Sequence, residues 1–126
     1  MKKLKKGFVS LICVLTVAFT LVGFANAADY SKSVSKTVTL GGASATVKCT
    51  GTYHSTGNTR WSKGWFATIS SGKNAYTGSE AISSSSETKM VTTAKVYITN
   101  NSLVTNSTTK TTTFTRSGTT VSGSMN

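Results

Sequence analysis

The sequence predicts a small all-β domain, built as a sandwich of two antiparallel sheets. Serine and threonine supply 40 of the residues from Ala28 onward, and aliphatic and aromatic side chains alternate with them. Threonine and valine favour strands because branching at Cβ suits a pleated surface. Alternation of apolar and polar residues is typical of a strand with one buried face. The chain has room for about six to eight short strands, and a small β-barrel is the alternative arrangement.

The first 27 residues have the three parts of a secretory signal peptide. A lysine-rich start precedes the apolar run 7–24, and Ala25-Asn26-Ala27 has the small-x-small pattern of a cleavage site. We expect a helical signal peptide, cut after Ala27 to leave one 99-residue domain, 28–126. A retained membrane anchor is the alternative, because about 18 apolar residues approach the length of a span. The lysine-rich start is typical of bacteria, and we expect a secreted, extracellular protein of a Gram-positive species.

Two alternating segments at the start of this domain predict a pair of strands. In residues 34–40, valine and leucine alternate with serine and threonine, and Lys36 falls on the apolar face. An inward charge discourages further pairing, so we expect this strand at a sheet edge. Residues 43–53 alternate most regularly of all, and Gly41-Gly42 provides a turn between the two strands.

The remaining strands are expected in the second part of the chain. Residues 61–70 and the short segment 75–77 have strand patterns. Residues 78–88 are rich in serine and are expected to form a flexible loop. Further strands are predicted over 89–99, 103–109, 111–116 and 119–124, with turns at Asn100-Asn101 and Ser117-Gly118.

The composition argues against an enzyme and against a metal or cofactor site. Beyond the leader, the chain has one histidine, one cysteine and three acids, which are His54, Cys49, Asp29, Glu80 and Glu87. A nucleophile needs a base within hydrogen-bond reach. Cys49 and His54 are five residues apart in one strand and should project from opposite faces. A Ser-His-Asp set can be drawn from almost any chain this rich in serine, and the acids are too scattered to suggest metal ligands.

Cys49 is the one thiol left after cleavage. Its place among the apolar residues of segment 43–53 predicts burial as a small hydrophobic side chain. An exposed thiol would instead pair between two chains. We therefore expect a monomer, with a disulfide-linked dimer through Cys49 as the alternative.

Positive charge is the clearest functional signal. Residues 28–126 contain ten lysines and arginines against three acids, for a net charge of +7. Such a domain attracts polyanions without any sequence recognition. The expected partner is an anionic cell-wall polymer or a membrane surface, and nucleic acid is not expected to be physiological. The alternative is that the charge only keeps the protein in solution.

One aromatic patch could bind a ligand. Trp61 and Trp65 share a strand face by parity, with Lys63 between them. Exposed tryptophans beside Arg60, Lys63 and Tyr53 would form a platform for a sugar ring, a nucleobase or a membrane interface. Buried, the same rings would be the centre of a core that is poor in leucine.

Three functional hypotheses follow from these features. The first is a secreted, non-enzymatic β-sandwich that binds the bacterial cell envelope or another extracellular polyanion. The second is a small bacteriocin-like antibacterial protein that acts on the envelopes of competitors. The third is a carbohydrate-binding or adhesive module that uses Trp61 and Trp65.

Overall fold

The fold is all-β, as the composition predicts. A computed structural model describes residues 28–57 and 60–126, and the predicted signal peptide lies outside these residues. Three strands form one antiparallel sheet in the order β1-β2-β3, and four form a second in the order β4-β5-β6-β7. The strands are β1 (Asp29–Leu40), β2 (Ala43–His54), β3 (Trp61–Ser71), β4 (Asn74–Ser85), β5 (Lys89–Thr99), β6 (Thr105–Ser117) and β7 (Thr120–Met125).

The two sheets enclose one apolar core. On β2, burial alternates strictly between inward and outward positions, as the sequence pattern predicts. Cys49 lies on the inward side and His54 on the other, so the parity prediction for this pair is confirmed. The core side chains are Val38, Ala43, Ala45, Val47, Cys49, Tyr53, Trp61, Trp65, Met90, Ala94, Val96, Ile98, Phe114, Val121 and Met125.

Phe114 is fully buried, and two glycines leave the space for its ring. A Cβ atom at Gly51 would lie 2.6 Å from Phe114 Cδ2, and one at Gly123 would lie 2.8 Å from Phe114 Cδ1. Gly51 belongs to the opposite sheet, whereas Gly123 pairs directly with Phe114 on the neighbouring strand. The ring is therefore seated between the sheets at positions where any larger residue would displace it.

The predicted flexible loop over residues 78–88 is largely a strand, because residues 78–85 belong to β4. The strand pairs with β5 from Asn74 to Ser85, with two interruptions of the register. Ser83 Oγ also donates to the carbonyl oxygen of Val91 at 3.1 Å. Exposed serines give no apolar alternation, so the sequence pattern could not indicate a strand held by backbone pairing. Irregularities of this kind are common in edge strands, where they discourage pairing with another chain.

The connection between β5 and β6 also differs from the prediction. β6 runs without a break from Thr105 to Ser117, where two strands separated by a bend were expected. In the preceding turn the positive φ falls on Leu103, at 64°, and not on an asparagine. Asn100 acts through its side chain instead, because its Oδ1 accepts from the backbone N–H groups of Ser102 and Val104, both at 3.0 Å.

The edge strand β1 carries inward-facing charge, as predicted. It is an outer strand of the three-stranded sheet and lies beside β7, the last strand of the other sheet. Lys36 Nζ on β1 donates to the carbonyl oxygen of Met125 on β7 at 3.4 Å. Within the described ranges, no helix has the length and apolarity needed to cross a membrane.

Candidate functional site

The aromatic residues of the predicted ligand site lie together, but inside the sandwich. Tyr53, Trp61 and Trp65 are 4%, 3% and 7% exposed, and the rings of Tyr53 and Trp61 meet edge to face at 5.1 Å. Trp61 Nε1 donates to the carbonyl oxygen of Ser86 at 2.8 Å, and Trp65 Nε1 donates to Thr92 Oγ1 at 3.0 Å. Both tryptophans are therefore buried in the core, and they are not exposed as a binding platform.

The two cations of the same predicted site lie nearer the surface, and each faces an acid. Arg60 Nε is 3.4 Å from Glu87 Oε2, and Lys63 Nζ is 3.6 Å from Glu80 Oε1. The five residues are therefore divided between the core and the surface. They do not form a platform that faces solvent.

Glu87 is the centre of a polar cluster at one end of the sandwich. It accepts a hydrogen bond from the Tyr53 hydroxyl at 2.7 Å, and Arg116 Nη2 lies 3.8 Å from Glu87 Oε1. The Arg116 guanidinium also stacks over the Tyr53 ring, 4.1 Å from its centre. The bond from Tyr53, with Arg60 next in importance, lowers the pKa of Glu87, and the same bond raises the pKa of Tyr53. Through Glu87, this cluster connects the turn between β4 and β5 to β2 of one sheet and to β6 of the other.

All three acids of the domain are engaged by cations or by the histidine. Asp29 contacts His54, Glu80 contacts Lys63, and Glu87 contacts both Arg60 and Arg116. In the part of the chain that the structure describes, the other seven lysines form no ion pair with an acid. We call these the unpaired lysines: Lys32, Lys36, Lys48, Lys73, Lys89, Lys95 and Lys110.

Rows of serine and threonine lie on the outer faces of both sheets. Every outward position of β6 is a serine or threonine: Thr105, Ser107, Thr109, Thr111, Thr113, Thr115 and Ser117. On the three-stranded sheet, hydroxyls of neighbouring strands bond in pairs, as in Ser31 with Thr52 at 2.8 Å. Ser33 and Thr50 form another such pair at 2.7 Å. Three of the unpaired lysines, Lys48, Lys89 and Lys95, lie on these outer faces, beside groups that can both donate and accept hydrogen bonds.

Asp29, His54 and Ser62 form a hydrogen-bonded line across the outer face of the three-stranded sheet. Asp29 Oδ1 is 3.0 Å from His54 Nδ1, and His54 Nε2 is 2.9 Å from Ser62 Oγ. The sequence did not single out this set, because a chain this rich in serine offers many possible Ser-His-Asp combinations. Strand pairing is the one signal that could have found it, since Asp29 stands directly opposite His54 in the register.

Cys49 is buried, as predicted, and its surroundings are partly polar. Burial raises the pKa of its thiol to about 11, and the nearby Thr112 hydroxyl opposes that shift. Thr112 Oγ1 is itself buried and has no hydrogen-bond partner among the described residues. In this conformation the thiol is out of reach of another chain.

Neither a metal cluster nor a known relative points to a function. Across residues 28–57 and 60–126, no three His, Cys, Asp or Glu side chains are grouped so that they could hold a metal ion. Surface charge, hydroxyl groups and side-chain geometry are the features that bear on function. Comparison of the chain with family models, curated proteins and solved structures finds no match in any of the three.

Proposed function

We propose that this protein is a secreted β-sandwich that binds an anionic, phosphate-bearing polymer of the bacterial cell wall. The observation that carries the proposal is the set of unpaired lysines. Because every acid already faces a cation or the histidine, the net charge of +7 is carried by side chains that meet no internal counter-charge. Six of the seven unpaired lysines are exposed and one is half-buried.

The distribution of these lysines favours a polymer over a flat membrane. Lys48 is on the outer face of the three-stranded sheet, whereas Lys89 and Lys95 are on the outer face of the other sheet. The two faces point in opposite directions, so a planar bilayer can meet only some of these charges at once. A flexible polyanion can pass around the domain and contact both faces.

The hydroxyl rows suit the same partner. Serine and threonine hydroxyls can donate hydrogen bonds to phosphate oxygens. They can also donate to, and accept from, the hydroxyl groups of a sugar or polyol. Because the lysines are exposed and dispersed, attraction should be screened beyond about 8 Å at physiological salt. We therefore expect binding that is broad in specificity and sensitive to salt.

Cosedimentation with purified cell walls tests this proposal. The protein, purified from cells that express the full chain, is mixed with walls and with walls stripped of their phosphate polymers, from about 50 to about 500 mM salt. We expect binding to intact walls at low salt, loss of binding at high salt, and little binding to stripped walls.

A matched pair of variants shows whether the charge is responsible. Replacement of Lys48, Lys89 and Lys95 by glutamine should weaken binding by roughly 10-fold, because each exposed charge contributes a few tenths to about 1 kcal/mol. Replacement of the same residues by arginine keeps the charge and should keep the binding. Equal binding by both variants, or equal binding to stripped walls, would show that the proposal is wrong.

A further inference from the structure

We infer that Asp29, His54 and Ser62 form an acyl-transfer site in which Ser62 is the nucleophile, acting on exposed carboxylic esters. This inference goes beyond polymer binding and does not depend on it. It also departs from the expectation, drawn from composition, that the chain has no catalytic groups.

The order of the hydrogen bonds is the one that nucleophilic catalysis by serine requires. Both distances, 3.0 Å and 2.9 Å, are within hydrogen-bond reach. A carboxylate can only accept, so the proton of a neutral imidazole is held on Nδ1, facing Asp29. His54 Nε2 is then the acceptor for the Ser62 hydroxyl proton, which is the role of a general base.

The sheet holds these side chains in place while leaving the nucleophile open to solvent. His54 is on the middle strand, its backbone N–H donates to the carbonyl oxygen of Arg60 at 2.6 Å, and its side chain is 30% exposed. Ser62 stands opposite Thr52 on β3, diagonal to His54, and is exposed. The positions of all three residues are therefore set by backbone pairing and not by a flexible loop.

The reaction can be written without any added cofactor. Ser62 Oγ attacks the ester carbonyl carbon, and its proton passes to His54 Nε2. The bond from the carbonyl carbon to the alcohol oxygen breaks, and the alkoxide leaves with the proton from Nε2. Water then attacks the acyl-Ser62 ester and gives a proton to His54, and the carboxylic acid leaves as Ser62 regains its proton.

The surroundings of Ser62 indicate the class of ester. The neighbouring outward positions carry the hydroxyls of Ser31, Thr52 and Thr50, so the local surface is polar. A Cβ atom at Gly64, the next outward position on β3, would meet nothing within 4 Å. No side chain at this position blocks the approach of an acyl group to Ser62 from solvent. We assign as substrate a small acyl ester of a polar alcohol.

Covalent labelling tests whether Ser62 is activated. The protein from cells that express the full chain is treated with a fluorophosphonate probe, and the modified residue is located by peptide mass spectrometry. We expect labelling at Ser62, loss of labelling in Ser62→Ala, and labelling about 100-fold slower in His54→Ala. Added imidazole should restore part of the labelling in His54→Ala, which a purely structural hydrogen bond would not explain.

Hydrolysis of 4-nitrophenyl acetate gives a second readout with a matched control. Ser33 is on the same face and bonds to a hydroxyl, Thr50, in place of an imidazole. Ser33→Ala should keep the rate, whereas Ser62→Ala and His54→Ala should lose it about 100-fold, with thermal midpoints showing that each variant is folded. Equal labelling of Ser33 and Ser62, or an unchanged rate in folded Ser62→Ala, would overturn the inference. Neither readout involves cell walls, so failure of the acyl-transfer inference can be distinguished from failure of polymer binding.

Discussion

The absence of a single methyl group at Gly51 determines how Phe114 packs between the sheets. Gly51→Ala should destabilise the fold by about 1–3 kcal/mol, because the added Cβ would lie 2.6 Å from a fully buried ring. Gly64→Ala is the matched control, since its Cβ meets nothing within 4 Å and should cost little or slightly stabilise. Urea unfolding of both variants measures the difference. Similar stabilities for the two would contradict the proposed seating of Phe114.

Cys49 should make stability depend on alkaline pH. Burial raises the pKa of its thiol from 9.0 to about 11, so the folded state holds the proton more tightly than the unfolded state. The resulting stabilisation is complete below pH 9 and is lost as the pH rises to about 11. Between these values the free energy of unfolding should fall more steeply in the wild type than in Cys49→Ala, by on the order of 2 kcal/mol.

The same experiment contains its own control for other groups. The pKa of Tyr53 is also raised, by its hydrogen bond to Glu87, but Tyr53 is present in both proteins and its effect cancels. Parallel curves for wild type and Cys49→Ala would show that the thiol is not protected by burial. Native Cys49 should also react with a thiol reagent far more slowly than the unfolded chain does.

At the scale of elements, the turn between β5 and β6 has a residue in an unfavourable conformation. Leu103 has φ of 64° and is 69% exposed, so it has backbone strain without packing to offset it. Leu103→Asn should stabilise the protein by about 0.5–1 kcal/mol, because asparagine tolerates this region better. Val104→Asn, one residue later and without a positive φ, should give no such gain. Thermal unfolding of the two variants checks the prediction, and equal effects would contradict it.

The β4 strand shows how an element can exist without a hydrophobic pattern. Most of its residues after Thr77 are exposed, and the strand is held by pairing with β5 on one side. Backbone hydrogen bonds need no particular side chain, so exposed serines are compatible with a strand although they do not predict one.

For the whole molecule, Glu87 connects parts that are distant in sequence. It contacts Tyr53 on β2, Arg60 just before β3, and Arg116 on β6, which belong to different sheets. The lowered pKa of Glu87 means that the folded state favours the carboxylate. Its stabilisation is therefore present above the ordinary pKa of 4.5 and is lost as the pH falls through the lowered value.

Glu87→Gln should test this connection. The variant should be less stable than the wild type at pH 7, because Arg60 and Arg116 lose their shared acid. The difference should shrink as the pH falls well below 4.5, where the wild-type carboxyl group is also neutral. Chemical unfolding across this pH range measures it. A difference that does not change with pH would mean that the charge of Glu87 is not what joins the two sheets.

Local patterns predicted much of the fold but little of the candidate sites. The strict alternation of β2 predicted both its strand and the burial of Cys49. The inward charge of Lys36 predicted an edge strand. The same pattern could not say whether Trp61 and Trp65 face a core or a ligand, because parity shows that residues share a face and not what covers it.

The sequence by itself determined the all-β class, the inward and outward faces of its clearest strands, and a positive charge that three acids cannot neutralise. These properties depend on composition and on the two-residue period of a strand. Tertiary structure alone decided the register, the burial of the aromatic residues, and the meeting of Asp29, His54 and Ser62. The reason is that contacts across strands join residues far apart in the chain, and their positions depend on how complete strands pair.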